Sequence, residues 1–545
     1  MSNLNNFFTV IDDGGSGLSN PEGVLSDREL ALLRGSLNYY SFAYPRRDFR
    51  VVVLRGPDGT MPKLTDRSNH FLEWEPDRIA MCTVAIRSMV GEELPTRGSV
   101  LELVVDLGGK ATDEGLLSTK RRGLVGQAAK RVRIKAPIAF DVVRQGLTDV
   151  YEAKITPRRR ATPHDIVSPI ASTRELEPSE NMPPKAILFG LHWFEMGGAE
   201  RWALDAIQAA VDLGFVPIVI TDRDSTHPWI CRPELDSALI LPLTFPLNDN
   251  EESLMLANLL SAYTIVGAHV HHSRWLYHRL AWLRAVNPGI RIIDSLHVVE
   301  WRTGGFVEQS VKFSSVIDLH HVISPALRDY LIFERKIPRA RVMLAPLHQL
   351  TASADNSVVS TRHEVFTVSF IGRLTQQKRP YLFLKFAQKL HRALRGNVRF
   401  IVHGDGILTK EVHNLVNKFG LQSCIDLRTP PFSVDETLKE SDLLVISSDN
   451  EGLTLTTFEA TAHGVAVIST DVGSQASLVS SNGLVDRLPL AFIKQATALA
   501  VRISHDEDFR RSLIIDQQDK IAKLKQLPEA KNWVAGIYRG WNSGR

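Results

Sequence analysis

The chain has little of what staples a small protein or carries one through a membrane. It has three cysteines in 545 residues, Cys82, Cys231 and Cys424, far apart and forming no CxxC pair. That scarcity argues against a disulfide framework and a thiolate zinc site, and it fits a reducing compartment. No apolar run approaches the ~20 residues that a bilayer-spanning helix needs. Met1 to Gly15 has no basic flank before its short apolar run, and Asp12 and Asp13 follow that run at once. It does not read as a signal peptide. An excess of one charge is also missing. Lys and Arg total 64 against 61 Asp and Glu, a net charge of +3. Counterion-release binding to nucleic acid needs a concentrated basic surface, so no nucleic-acid partner is expected. These absences predict a cytoplasmic protein, attached to a membrane at most from its inner face.

Proline is concentrated where structure should break. Pro157, Pro163, Pro169, Pro178, Pro183 and Pro184 fall in one polar stretch with Arg158 to Arg160. Removing so many backbone donors opposes regular structure, so residues 157–184 are expected to be a linker. Ahead of it, residues 1–156 form an N-terminal accessory domain in which no site is legible. Ser26 and Glu29 fit a capping box that opens a helix towards Tyr40. Arg50 to Leu54 and Val100 to Val105 read as strands.

From Lys185 onward, short apolar runs alternate with helix-length amphipathic segments. The runs begin with Ala186–Phe189, Val216–Ile220 and Ala238–Leu241, and continue with Ile265–Val270, Ile290–Ile293 and His321–Ile323. A second series opens at Phe366–Ile371 and continues through Val398–Val402, Ile425–Leu427, Leu443–Ser447 and Val465–Ser469. Alternation of this kind marks βαβ units around parallel sheets. The expected fold is therefore α/β, with two doubly wound, Rossmann-like domains at 185–347 and 362–545. The polar segment 347–361 serves as a hinge, and ligands bind beyond the carboxyl ends of the strands.

Four segments at strand ends hold the candidate chemistry. In the first, Asp449 to Ala460, a buried strand ends in a loop and then a helix. The amides around Leu453 and Thr454 suit a diphosphate at a helix start. Glu451 faces that position. Glu459, two turns into the helix, is able to accept two hydrogen bonds from a diol such as ribose. In the second, Phe370 to Pro380, Arg373 and Lys378 follow a glycine and are placed to neutralise phosphates. The third, Gly190 to Arg201, contains Gly197 and Gly198, which let the backbone approach a ligand closely. The fourth places His297 at the end of another strand, within reach of a sugar hydroxyl or a developing charge. His269, His271 and His272 lack a carboxylate or cysteine to complete a metal set, so structural or substrate-facing roles are expected for them. Asp222-Arg223-Asp224 resembles a metal-binding DxD, but the pattern is short and nonspecific.

Taken in order, these segments resemble the retaining glycosyltransferases of family 4, which have the GT-B fold. The resemblance covers about residues 185–541. It rests on GGAER at Gly197, GRLTQQKRP at Gly372, HGDG at His403 to Gly406, and EGLTLTTFEATAHGVAVIST from Glu451, with its E-x7-E spacing to Glu459. It implies an acceptor domain followed by a nucleotide-sugar donor domain, whose terminal helix returns to the acceptor domain. Arg373 and Lys378 would bind the donor diphosphate, Glu451 the donor sugar and Glu459 the ribose. Gly197, Gly198, Gly404, Leu453 and Thr454 would line the donor, with His297 near its sugar. The resemblance further implies a hexosyl transfer with retention of anomeric configuration. The co-substrate would be a nucleotide-diphosphate sugar, with no cofactor and no metal, and the acceptor a glycan, glycolipid or small molecule.

This sequence departs from the family pattern at four places, one of them the hinge, where Pro346-Leu347-His348 replaces the common Asn-Gly-Val-Asp. Thr454 stands where a second Gly is common, Ala466 stands for Pro, and Gly473-Ser474-Gln475-Ala476-Ser477 replaces Gly-Gly-x-Pro-Glu. The alternative reading is a non-catalytic relative acting as a binding or scaffold protein of envelope polysaccharide assembly, but keeping Arg373, Lys378, Glu451 and Glu459 together favours the enzyme. Basic clusters at Lys120 to Arg122, Lys130 to Lys135 and Arg158 to Arg160 suggest peripheral contact with an anionic membrane. The competing expectation is an accessory domain packed on the acceptor domain.

Overall fold

The computed structural model describes residues 7–11, 21–57, 60, 62–65, 77–91, 100–109, 136–143, 183–195, 197–223, 225–242, 249–299, 304–347, 363–429 and 431–542. Residues 157–182 of the linker, the three basic clusters, nearly all of the hinge and Asp224 lie outside them.

The first sheet is mixed. Its strands are β1 (Phe8–Val10), β2 (Asp48–Arg55), β3 (Lys63–Thr65), β4 (Ile79–Ser88) and β5 (Leu101–Asp106), in the order β1-β4-β2-β5-β3. β2 runs antiparallel to β4 and parallel to β5. The helix Asp27–Ala43 opens as the Ser26/Glu29 spacing predicts. The Glu29 carboxylate accepts from both the backbone N and the Oγ of Ser26, each at 2.8 Å. That carboxylate also receives Arg55, which holds it down at about 2 against the opposing effect of burial.

The same helix joins the N-terminal unit to the first Rossmann-like domain. Gly35 lies so close to Pro242 that a Cβ there would meet its Cδ at 2.9 Å. Asn258 donates to the Phe42 carbonyl at 2.8 Å, and Arg28 to that of Thr226 at 2.7 Å. Leu33, Leu37 and Phe42 belong to the same continuous core as the first Rossmann sheet. The described part of this unit up to residue 109 is thus packed against the first Rossmann-like domain, whereas residues 137–143 lie against the second.

The second sheet is wholly parallel. It comprises β6 (Lys185–Leu191), β7 (Val216–Thr221), β8 (Leu239–Pro242), β9 (Thr264–His271), β10 (Arg291–Leu296), β11 (Leu319–Val322) and β12 (Val342–Leu344). Their order is β12-β11-β10-β9-β6-β7-β8. β12 and the helix Gly305–Lys312 are not legible in the sequence, and the helix Pro325–Asp329 continues in π geometry from Tyr330.

The third sheet is also wholly parallel: β13 (Thr367–Ile371), β14 (Arg399–His403), β15 (Ile425–Arg428), β16 (Leu443–Ile446), β17 (Ala466–Thr470) and β18 (Leu484–Val485). Its order, β15-β14-β13-β16-β17-β18, reverses between β13 and β16. In the second sheet the reversal falls between β6 and β9. Strands buried on both faces read as unbroken apolar runs, which is why Ala186–Phe189 and Leu443–Ile446 show no alternation.

The fold class expected from the sequence is the one observed: two doubly wound domains in the GT-B arrangement, behind an N-terminal unit. The chain crosses back at its end. In the terminal helix Ala530–Asn542, the Tyr538 hydroxyl meets His269 Nδ1 at 2.7 Å, and Trp541 fills the space over Gly267 that any Cβ would occupy.

Candidate active site

Both topological switch points face one cleft, where doubly wound sheets bind ligands. A cavity of about 350 Å³ lies between them. Its acceptor-side wall is formed by residues at the ends of β6, β7, β9 and β10, including His192, Trp193, Arg223, His272 and His297. Its donor-side wall includes Arg373, Gln377, Gly452, Leu453 and Leu455. The walls touch beside it. A Cβ on Gly452 would meet the His297 carbonyl at 2.6 Å, and Ser474 Oγ lies 2.6 Å from Ser324 Oγ.

On the donor side, Gly372 has φ +151°, a conformation open to glycine, and turns the chain out of β13. Arg373 follows it, exposed and facing the cavity. Lys378 Nζ lies 2.7 Å from Glu451 Oε1, so the structure brings these two predicted residues together as an ion pair. Glu451 is only 6% exposed. Two further bonds lace the loops that carry them: Asp449 N donates to the Gln377 carbonyl and Gln377 Nε2 to that of Asn450, each at 2.8 Å.

Thr454 caps the helix Leu455–Ala462 from an extended backbone. The first amide to turn back is that of Thr457, which bonds the Thr454 carbonyl at 3.0 Å. The Leu455 and Thr456 amides precede that turn, as at any helix start. Thr454 Oγ1 receives the Gln475 amide, so two of the departures from the family pattern bond each other. Burial pushes the half-buried Glu459 carboxyl up, with Arg201 of the acceptor domain partly opposing the shift.

The glycines differ in what they permit. A Cβ on Gly198 would meet nothing within 4 Å, and the residue is exposed at the cavity wall. Gly197 sits against the Glu200 carboxylate. Gly404 packs its Cα on the Gly372 carbonyl and donates its amide to the Arg428 carbonyl at 2.9 Å. It supports the Gly372 turn from below and is not part of the cavity wall.

The acceptor-side wall is aromatic and histidine-rich. His297 is buried, and its Nε2 has no partner among the described residues. Burial, and then the neighbouring His272, His271, His321 and His192, hold it well below the usual imidazole range. The imidazole is therefore neutral at physiological pH, and one nitrogen is free to bond a ligand. His272 has φ +59° and stacks on Phe306 with 4.7 Å between ring centroids. The Arg223 guanidinium lies over Trp193 at 5.7 Å and over Phe306 at 5.9 Å. Glu200 ties the wall together, accepting from Trp193 Nε1 at 2.9 Å and lying 3.1 Å from His192 Nε2.

His269 and His271 face the core. His269 bridges Tyr538 and Ser295, whereas His271 lies 3.9 Å from it, ring to ring, among Phe189 and Trp202. Asp222 accepts from the Trp275 amide at 2.7 Å and from Ser273 Oγ, which caps the helix Arg274–Val286. That is a structural use for the first residue of the DxD. Among the described residues no three His, Cys, Asp or Glu side chains gather as a metal-binding group.

Sequence reasoning did not single out Trp193, Arg223 or Phe306. The available signal was position, since Trp193 and Arg223 each follow the carboxyl end of a central strand.

Residues 354–515 match the family model described as "Glycosyl transferases group 1". Two curated relatives give the scale of the likeness. One is the GalNAc-α-(1→4)-GalNAc-α-(1→3)-diNAcBac-PP-undecaprenol α-1,4-N-acetyl-D-galactosaminyltransferase of Campylobacter jejuni. It is 30% identical over 210 residues, 38% of this chain and 56% of that protein. The other is a phosphatidylinositol N-acetylglucosaminyltransferase subunit of Arabidopsis thaliana, 21% identical over 295 residues, 53% of this chain and 64% of that protein. In each case the match spans less than two thirds of the relative's length. Among solved structures, Anabaena HepE in complex with UDP aligns over 66% of this chain and 100% of its own, at 15% identity and a TM-score of 0.49. No helix among the described residues is long and apolar enough to cross a membrane.

Proposed function

We propose that this protein is a glycosyltransferase that moves a hexosyl unit from a nucleoside-diphosphate sugar to a hydroxyl of a glycan or lipid-linked acceptor. The observation that carries the reading is the Lys378–Glu451 ion pair, which joins the two loops whose neighbouring residues Arg373, Gln377 and Gly452 line the interdomain cavity. A diphosphate entering there meets two cations and the amides that open the helix Leu455–Ala462. Charge building on the leaving diphosphate is then met by groups already in place, which is how preorganised sites lower a barrier. When the diphosphate draws Lys378 to itself, the Glu451 carboxylate is released to hold the sugar. Glu459 is assigned to the ribose hydroxyls, and His297, neutral with a free nitrogen, to a hydroxyl of the transferred sugar.

Retention of anomeric configuration follows from the resemblance to family 4, as does turnover without a divalent metal. A lipid-linked acceptor is favoured by the names of the two curated relatives, which include an undecaprenol-linked glycan and phosphatidylinositol. The deciding experiment incubates the full chain with a panel of UDP, GDP and ADP sugars and measures release of the nucleoside diphosphate, with and without chelator. Release from at least one donor, with an α-linked product from an α-linked donor by NMR, is expected. Silence across the panel, with no nucleotide bound by calorimetry, overturns the reading.

A further inference from the structure

Behind the donor wall lies a contact made by a part of the chain that precedes both Rossmann-like domains. Residues 137–143 form a short helix seated on the donor domain. Ile138 packs against that domain's core, and Pro137 faces Pro380 and Tyr381. From this helix Asp141 reaches Arg379, with Oδ2 and NH1 3.3 Å apart. Both side chains are fully buried. Charges removed from water together are maintained only when paired and well bonded, and losing one partner strands the other.

Arg379 directly follows Lys378 and adopts φ +50°, a conformation that favours glycine. Its guanidinium explains why a long side chain stands there. Nε donates to the Ser447 carbonyl at 2.7 Å, NH2 to that of Ser448 at 2.9 Å, and NH1 to that of Arg487 at 2.8 Å. Asp449 Oδ1 lies 3.9 Å from NH1. Ser447 Oγ answers with bonds to the carbonyls of Lys378, at 2.9 Å, and Arg379, at 3.1 Å. The loop carrying Arg373 and Lys378 is thereby tied to the loop carrying Glu451, with Arg379 as the knot.

We propose that Asp141 is a positioning residue for the donor site: by neutralising Arg379 it holds the phosphate-binding and sugar-binding loops in register, so that a segment outside the two Rossmann-like domains completes the site from behind. The proposal rests on the donor-site reading for its effect on nucleotide, but not for its effect on the loops.

The test uses the full chain with Asp141→Asn, Asp141→Ala, Asp141→Glu, Arg379→Gly and the Asp141→Ala/Arg379→Gly pair. Amide hydrogen exchange in the absence of ligand is read at residues 373–379 and 449–455. Exchange about 10-fold faster in both loops is expected for Asp141→Asn and Asp141→Ala, with near wild-type protection in Asp141→Glu. Binding of the nucleoside diphosphate released in the donor panel should weaken by about 10-fold in Asp141→Ala. The pair should be no worse than Arg379→Gly alone, because both residues act through one link. Asp141→Asn keeps the shape of the side chain and so reports on the charge even if Asp141→Ala folds poorly. Unchanged loop exchange in Asp141→Asn, or additive effects in the pair, overturns the proposal. Faster loop exchange in a protein that binds no nucleotide upholds the positioning and sinks the donor reading instead.

Discussion

The two walls of the cleft recognise ligands by different physics. The donor-side wall is ionic: Arg373 is exposed at the cavity, and just behind it Lys378 and Glu451 hold each other in an ion pair. The acceptor-side wall is aromatic and histidine-rich, built from imidazoles, Trp193 and Phe306, with the Arg223 guanidinium laid over the rings and the Glu200 carboxylate bonded to them. An ionic wall suits a ligand whose charge is constant, such as a diphosphate, and it weakens as salt screens it. A wall of rings with few charges suits hydroxyls and apolar sugar faces.

Acid should separate the two domains behind these walls most strongly. Burial sets His227 at about 3 and His321 at about 4, and it holds His269 and His271 well below the usual range. All four stay neutral in the folded acceptor half while the unfolded chain takes up protons near pH 6.5. Their contribution is fully present above that pH and is lost as pH falls from there towards 4. By pH 5 the loss is about 2 kcal/mol for each fully buried imidazole. Summed over several, this approaches the whole margin of an ordinary domain. Thermal scans between pH 7.5 and 4.5 should show the acceptor half melting first. A single transition that does not move would break the comparison.

Glu451→Gln should come next, with turnover falling by about 100-fold or more because a contact that strengthens in the transition state is lost. Nucleoside-diphosphate affinity should stay within a small factor, since Lys378 is then unpaired. Steady-state kinetics beside calorimetry would show the split, and an equal fall in both would assign Glu451 to the nucleotide instead. Arg373→Ala and Lys378→Ala should each weaken nucleoside-diphosphate binding by about 1.5–3 kcal/mol, with the wild-type affinity itself declining in salt. Affinity unchanged in both variants would remove the ionic wall from donor recognition. The smallest effect is expected from Arg223→Ala, which gives up cation–π contacts of about 0.5–1 kcal/mol and should raise the acceptor KM a few-fold without touching donor KM. A change in donor KM alone would place Arg223 on the wrong wall.

The same contrast decides what could be read from the sequence. The donor wall was legible because phosphate binding uses contiguous units of strand, loop and helix. Glu451 and Glu459 are eight residues apart, and Arg373 and Lys378 five. The acceptor wall draws single residues from the ends of four strands, so Trp193, Arg223 and His272 share no local pattern. Gly404 was read with the donor set through the HGDG of the resemblance, but its packing on Gly372 depends on the distance between β13 and β14. The Thr454–Gln475 bond was hidden for the same reason. The role of Asp141 is the extreme case: its partner lies 238 residues away, and the spacing of charges along a chain says nothing of such pairs.

The return of the terminal helix to the acceptor domain also has a mechanical consequence. The chain leaves that domain after Leu347 and re-enters it at Ala530, whose amide bonds the Pro346 carbonyl at 3.1 Å. Pro346 and Ala530, where the chain leaves and re-enters that domain, therefore lie side by side, and the helix at 137–143 adds a separate contact with the other domain. A body held to another by one flexible strand can tumble in every direction, like a ball on a string. Two adjacent attachments leave mainly one rotation, like a door on its pins. A donor-driven movement of this protein would then be a swing of few degrees of freedom, repeating the same arc at each turnover.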